Sequence, residues 1–154
     1  MKLCDYEPSM AMFMAIFDNR LDDVAHLAEQ GLYNVDIDGD TAFMYAIDKK
    51  NYRAARILLD KGADPNQKNS LGDNALHLAA KWNIRELLNL MLDYDIDLDA
   101  IGQDGFTAIN YALAFGNYDI AKKIAQRGAN LDIKDDVYHM SAAERAKRDG
   151  IKLQ

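Results

Sequence analysis

Three glycines, Gly39, Gly72 and Gly105, stand 33 residues apart. The columns Thr41, Asn74, Thr107 and Ala46, Ala79, Ala112 keep the same interval, as do Phe43, Leu76 and Ile109. Four columns in one register define an internal repeat, and a repeat of this length restricts a chain to a stack of similar units. Each unit shows the same order of signals. A polar turn with glycine comes first, as in Asp38-Gly39-Asp40-Thr41, where glycine permits positive φ. Thr41, Asn74 and Thr107 follow at a helix N-cap position, since their side-chain oxygens accept backbone N–H groups. Short small-residue helices are predicted over 42–48, 75–81 and 108–114. A second helix carries Ile57-Leu58-Leu59, Leu87-Leu88 with Leu90-Met91-Leu92, or Ile120 with Ile124. Gly62 and Gly128 fit its C-terminal cap.

Two short helices cannot bury their apolar faces alone, whereas stacked units bury them against each other as a solenoid. The predicted fold is therefore all-α, with Leu58, Leu76 and Ile109 in the core. At 154 residues with 49% hydrophobic content, a single domain is expected. Its units run at about 8–34, 36–68, 69–101 and 102–134, with a capping segment over 135–154. Pro8-Ser9 starts the first and Gly31 closes it.

The quoted motifs resemble those of the ankyrin-repeat family. They are Asp38-Gly39-x-Thr41, Gly72-x-Asn74-Ala75-Leu76-His77-x-Ala79-Ala80, Asp104-Gly105-x-Thr107, Gly62-Ala63-Asp64-x-Asn66 and Gly128-Ala129-Asn130. The resemblance implies about four helix-turn-helix repeats plus a C-terminal capping helix. It also implies that His77 is structural and bonds the neighbouring turns. Ala42, Ala75 and Ala108 stand where the family has proline, which leaves those helix starts less rigid. Tyr94-Asp95-Ile96-Asp97 replaces Gly-Ala-Asp, so an irregular helix end is expected there.

Catalytic chemistry finds little support. His26, His77 and His139 have no nucleophile and orienting partner in a recognisable grouping. The alternating acids of 93–99 suggest a calcium loop, but Leu98 occupies the position that needs glycine and Asp104 the one that needs a bidentate glutamate. A solvated inter-repeat loop is the expected reading. Phosphate-loop and zinc spacings are not found, so no catalytic, cofactor-binding or metal-binding residues are assigned. Net charge is −7, which disfavours nucleic acid and anionic membranes. It fits plain solubility or a protein partner with a basic surface. The chain has one cysteine, Cys4, which suits a reducing compartment. The apolar run 10–17 is too short for a membrane span, and acidic residues precede it and Asp18 ends it, unlike a signal peptide. The expected location is cytoplasmic, or one reached without a cleaved signal.

The resemblance implies a concave face built from turn tips and first-helix edges. Repeat phase then nominates Asp38, Asp40, Asp73, Asp104 and Phe106 near the turns. It nominates Asp48, Lys49, Lys81, Trp82 and Phe115 at the far ends of the first helices. Trp82 and Phe115 are 33 residues apart, so they occupy equivalent positions, and tryptophan is the most typical interface anchor. The alternative is that these rings plug irregular packing. The acids would form a negative rim, or serve as ordinary turn residues. The expected function is a protein-binding module that inhibits or masks its partner, a toxin-neutralising immunity protein being one case. A scaffold or effector subunit is the alternative, and an enzyme of unrecognised type a remote one. Self-association stays open.

Overall fold

The structure is a computed structural model describing residues 7–34, 36–37 and 40–154, with backbone alone at 36, 37 and 40. Cys4, Asp38, Gly39 and the side chain of Asp40 lie outside the described residues. The chain forms two compact units, residues 1–70 and 71–154. The division falls within two residues of a predicted repeat junction.

The first unit contains α1 (Pro8–Phe17), α2 (Leu21–Glu29), α3 (Ala42–Asp48) and α4 (Tyr52–Asp60). Two-residue strands β1 (Asp36–Ile37) and β2 (Asp40–Thr41) pair antiparallel, Asp36 opposite Thr41. Helix α1 packs on α2 and α3, while α4 packs on α2 and α3. Helix α4 shows why: Ala54, Ala55, Leu58 and Leu59 fall on one face and are buried, the 3.6-residue period of a helix on a core. Met12, Ile16, Phe43 and Leu58 are completely enclosed. Each such side chain contributes about 1.5–3 kcal/mol by leaving water.

The second unit contains α5 (Ala75–Lys81), α6 (Arg85–Leu92), α7 (Ala108–Ala114), α8 (Tyr118–Gln126) and α9 (Ala142–Arg148). Helix α7 is its hub, contacting α5, α8 and α9. Ala108, Ile109, Tyr111, Ala112 and Leu113 are all buried, because a short helix with neighbours on several sides has no wet face. Leu76 and Ile109 lie fully in the core, as does Leu58 in the first unit. Among the described residues the fold is all-helical apart from the small hairpin and isolated bridge residues, among them the pair Lys134 and Ser141.

The predicted caps form. Thr41, Asn74 and Thr107 accept the amides of Met44, His77 and Asn110 at 3.2, 3.1 and 3.3 Å. Ser141 and Glu144 complete a reciprocal capping box on α9. Helices α4 and α8 end with Gly62 and Gly128 at φ 114° and 97°. Helix α6 differs. Asp93 and Tyr94 donate to Leu90 and Met91 in a tightened last turn, with no left-handed residue to reverse the chain.

Candidate protein-interaction face

The site begins at the C-terminal caps of the first helices of the repeats. These caps are Asp18, Lys49, Trp82, Phe115 and Asp149, on α1, α3, α5, α7 and α9. After each comes a left-handed residue: Asn19, Lys50, Asn83, Gly116 and Gly150, at φ 55°, 56°, 56°, 75° and 69°. In the second unit this column carries two large rings, and Trp82 is 63% exposed and Phe115 52%. In the first unit Asp18 and Lys49 are exposed in the same column. Lys49 pairs with exposed Asp48 at 3.2 Å.

Beside Phe115 the second unit holds a cleft of about 510 Å³ between α7, the turn at Asp104 and α9. Phe106, Tyr111, Phe115 and Tyr138 line it together with Lys81 and Arg145. Tyr111 organises the floor. Its ring stacks on Phe106 at 4.7 Å and 21° and meets His77 edge-on at 5.9 Å. Its hydroxyl donates to Asp73 at 3.4 Å. Burial, then the negative charges of Asp73 and Asp104, push the phenol well above its ordinary range. The Lys81 ammonium rests 5.1 Å from the Tyr111 ring and 5.5 Å from the Trp82 ring, a cation–π arrangement.

Arg145 is 3% exposed and ion-pairs with Asp135, which is wholly buried. The guanidinium lies 5.4 Å from the Phe106 ring and 5.2 Å from that of Tyr138. Burial works against charge on Asp135. The Tyr138 amide, the Arg145 guanidinium and the Val137 amide outweigh it and hold the carboxyl below the usual range.

Two nominated residues are corrected. Asp73 is 1% exposed and accepts from the Gln103 amide at 2.9 Å and from Tyr111. It braces the turn from inside and is absent from any exposed acidic rim. Phe106 is 6% exposed, enclosed by Tyr111 and Arg145. Asp104 is exposed at the cleft. It adopts φ 56° ahead of Gly105 at φ 75°. A Cβ on Gly105 would lie 2.6 Å from the Asp136 side chain and 2.8 Å from its amide, so the turn requires glycine. Tyr111, Tyr138, Arg145 and Arg148, none nominated from sequence, also reach the cleft. Repeat phase held one signal for them: Tyr45, Leu78, Tyr111 and Arg145 all sit four residues after an N-cap.

His77 bonds the neighbouring turns. Its Nε2 donates to the carbonyls of Ala100 at 2.9 Å and Phe106 at 3.2 Å, since a carbonyl can only accept. In the 93–99 loop the Asp97 and Asp99 carboxylates accept the amides of Asp99 and Asn130 at 3.0 and 2.7 Å. Among the described residues no three metal-ligating side chains cluster. No helix among them is long and apolar enough to cross a membrane.

The family model for ankyrin repeats (three copies) matches residues 1–69 and 65–135. The chain belongs to the ankyrin-repeat family. A putative ankyrin repeat protein of Acanthamoeba polyphaga mimivirus is 32% identical over 129 residues, covering 83% of this chain and 17% of the viral one. A putative ankyrin repeat protein of fowlpox virus is 30% identical over 134 residues, covering 81% of this chain and 38% of its own. The human transient receptor potential cation channel subfamily A member 1 is 28% identical over 99 residues, 64% of this chain and 9% of the channel. This ankyrin-repeat chain thus spans well under half the length of these relatives. Ankyrin repeats are protein–protein interaction modules, and the exposed rings at the caps of α5 and α7 are read in that light.

Proposed function

We propose that this ankyrin-repeat chain is a non-catalytic module that binds a partner protein through the second unit's face and masks the partner's surface. Trp82 and Phe115 anchor the contact, with Lys81 and Asp104 beside them. The observation that carries this reading is the exposure of two large rings at equivalent caps, where the first unit has Asp18 and Lys49. Aromatic side chains left more than half exposed at a helix end add little to the core, but they supply binding energy once a partner excludes water. The net charge of −7 favours a partner whose overall surface is basic, because opposite fields speed encounter. Exposed Asp48 extends that acid on the first unit. A single cysteine suits action in a reducing cytoplasm. Inhibition of the partner, as by an immunity protein, is the outcome we favour for such masking. A scaffold role is the second reading, supported by the greater length of the relatives.

The test uses a partner recovered by pull-down from native lysate. Trp82→Ala should leave the melting temperature nearly intact and weaken binding by at least about 30-fold, the equivalent of losing an anchor worth about 2 kcal/mol. Phe115→Ala should act in the same direction, more mildly. A large fall in melting temperature with unchanged affinity per folded molecule would instead assign both rings to packing.

A further inference from the structure

The cleft of the second unit has more hydrogen-bond donors than the protein uses. Three cationic side chains line it, Lys81, Arg145 and Arg148, against one carboxylate, Asp104. Two of the cations are already matched. Arg145 binds Asp135, and Arg148 grips Asp149 through Nε at 2.7 Å and Nη2 at 3.2 Å. Lys81 differs, because no carboxylate among the described residues lies within ion-pair distance of its ammonium, which has only ring faces beneath it. Two further donors have little or nothing to bind. Arg148 Nη1 has only the Met140 sulfur at 3.9 Å, a weak acceptor. The buried Nε of Arg145 has no protein partner at all. A buried donor left unmatched carries a penalty, and the cleft is wide enough to admit a side chain beside Lys81.

From this donor surplus we infer that the cleft receives an acidic side chain of the partner, its carboxylate beside Lys81 and an apolar neighbour against Phe115 and Tyr138. This rests on the second unit's face being the docking surface. Charge selects the ligand class. A carboxylate matches the single unpaired cation, whereas a dianionic phosphate would overcompensate it beside Asp104. A cationic side chain would meet ring faces already occupied by Lys81 and Arg145, and like charges repel. The acidic anchor is compatible with a partner basic overall. Net charge steers the two molecules from a distance, while the cleft selects one residue at contact.

The experiment pans a random library of short displayed peptides against the full chain and measures recovered peptides by titration. The peptides should share Asp or Glu next to an aromatic or aliphatic residue. Lys81→Met should weaken them about 10-fold, and Lys81→Arg should restore most of the affinity. Asp104→Asn should strengthen binding about 2–3-fold by removing the repelling charge. Melting temperatures of all three variants should match the parent. Peptides without acidic residues, or affinities indifferent to Lys81→Met, would overturn the inference. If those same peptides still required Trp82, the docking face would stand without its charge preference. A library yielding no binder would overturn both.

Discussion

The two units solve the same joint in different ways. In the two full repeats of the second unit, the residue three places after the N-cap bonds the turn of the next repeat. In the second unit that residue is His77 or Asn110. His77 donates to the Ala100 carbonyl and Asn110 Nδ2 to that of Ile133, at 2.9 and 3.0 Å. Ala100 and Ile133 are 33 residues apart, so the bonds are rungs of one ladder. The first unit has Met44 at this place, buried and unable to donate. There the N-cap residue takes over: the Thr41 hydroxyl donates to Gln67 Oε1 at 2.6 Å, and Gln67 is the Ala100 equivalent. The second unit also carries the buried Asp135–Arg145 pair, while the ion pairs of Arg20, Lys49 and Lys61 in the first are all at least partly exposed. The contrast teaches that the apolar core is common to both units, whereas among the described residues the fully buried polar side chains lie in the second unit. A rigid polar frame keeps binding side chains in one geometry.

The strongest way to break this contrast is Asp135→Ala. It strands a buried guanidinium, and we expect a loss of about 3–5 kcal/mol in urea unfolding. Hydrogen exchange should show protection falling over α7–α9 and persisting over α1–α4. Equal loss in both units would mean that the fastening is shared. Acid should mimic the change. Asp135 titrates below the usual carboxylate range when folded, so the pair contributes fully above the unfolded value of about 3.9 and is lost as pH falls through the folded one. Parent and variant should therefore converge in stability at low pH. Next in size is His77→Met, which gives the second unit the first unit's residue. It leaves the Ala100 carbonyl without its side-chain donor and takes one of two donors from Phe106, whose carbonyl keeps the Gly102 amide at 2.8 Å, and about 1–3 kcal/mol should disappear from the same measurement. The smallest effect is expected from Gln67→Ala, about 0.5–1.5 kcal/mol, because its hydrogen bond is only part-buried and water can replace it. An effect larger than that of His77→Met would reverse the ranking of the two units.

Helix positions were legible in the sequence because their signals are local. Thr41, Asn74 and Thr107 fix the starts of α3, α5 and α7, and the ends follow within the repeat phase. Chain reversal after those helices was less legible. Lys50 and Asn83 adopt the left-handed conformation, and of the three reversal residues only Gly116 advertises it. The site was half legible. Repeat phase aligned Trp82 with Phe115, but it also placed Asp73 on a rim. The burial of Asp73 depends on Tyr111, 38 residues later, a contact that no local pattern encodes. Arg145 belongs to the same class. In a run with Lys147 and Arg148 it reads as a solvated end, and only the loop carrying Asp135 turns it inward.

Trp82 is the one tryptophan in the chain, and it stands in water at the centre of the proposed contact with an ammonium over its ring. The molecule thus carries a spectroscopic label of its own, free of emission from any indole in the core. A partner lacking tryptophan that covers this face would move the ring from water to an apolar setting. Emission would shift to shorter wavelength and become inaccessible to a dissolved quencher such as iodide. Docking at this face can therefore be followed in the unmodified protein, in real time, and told apart from association anywhere else on its surface.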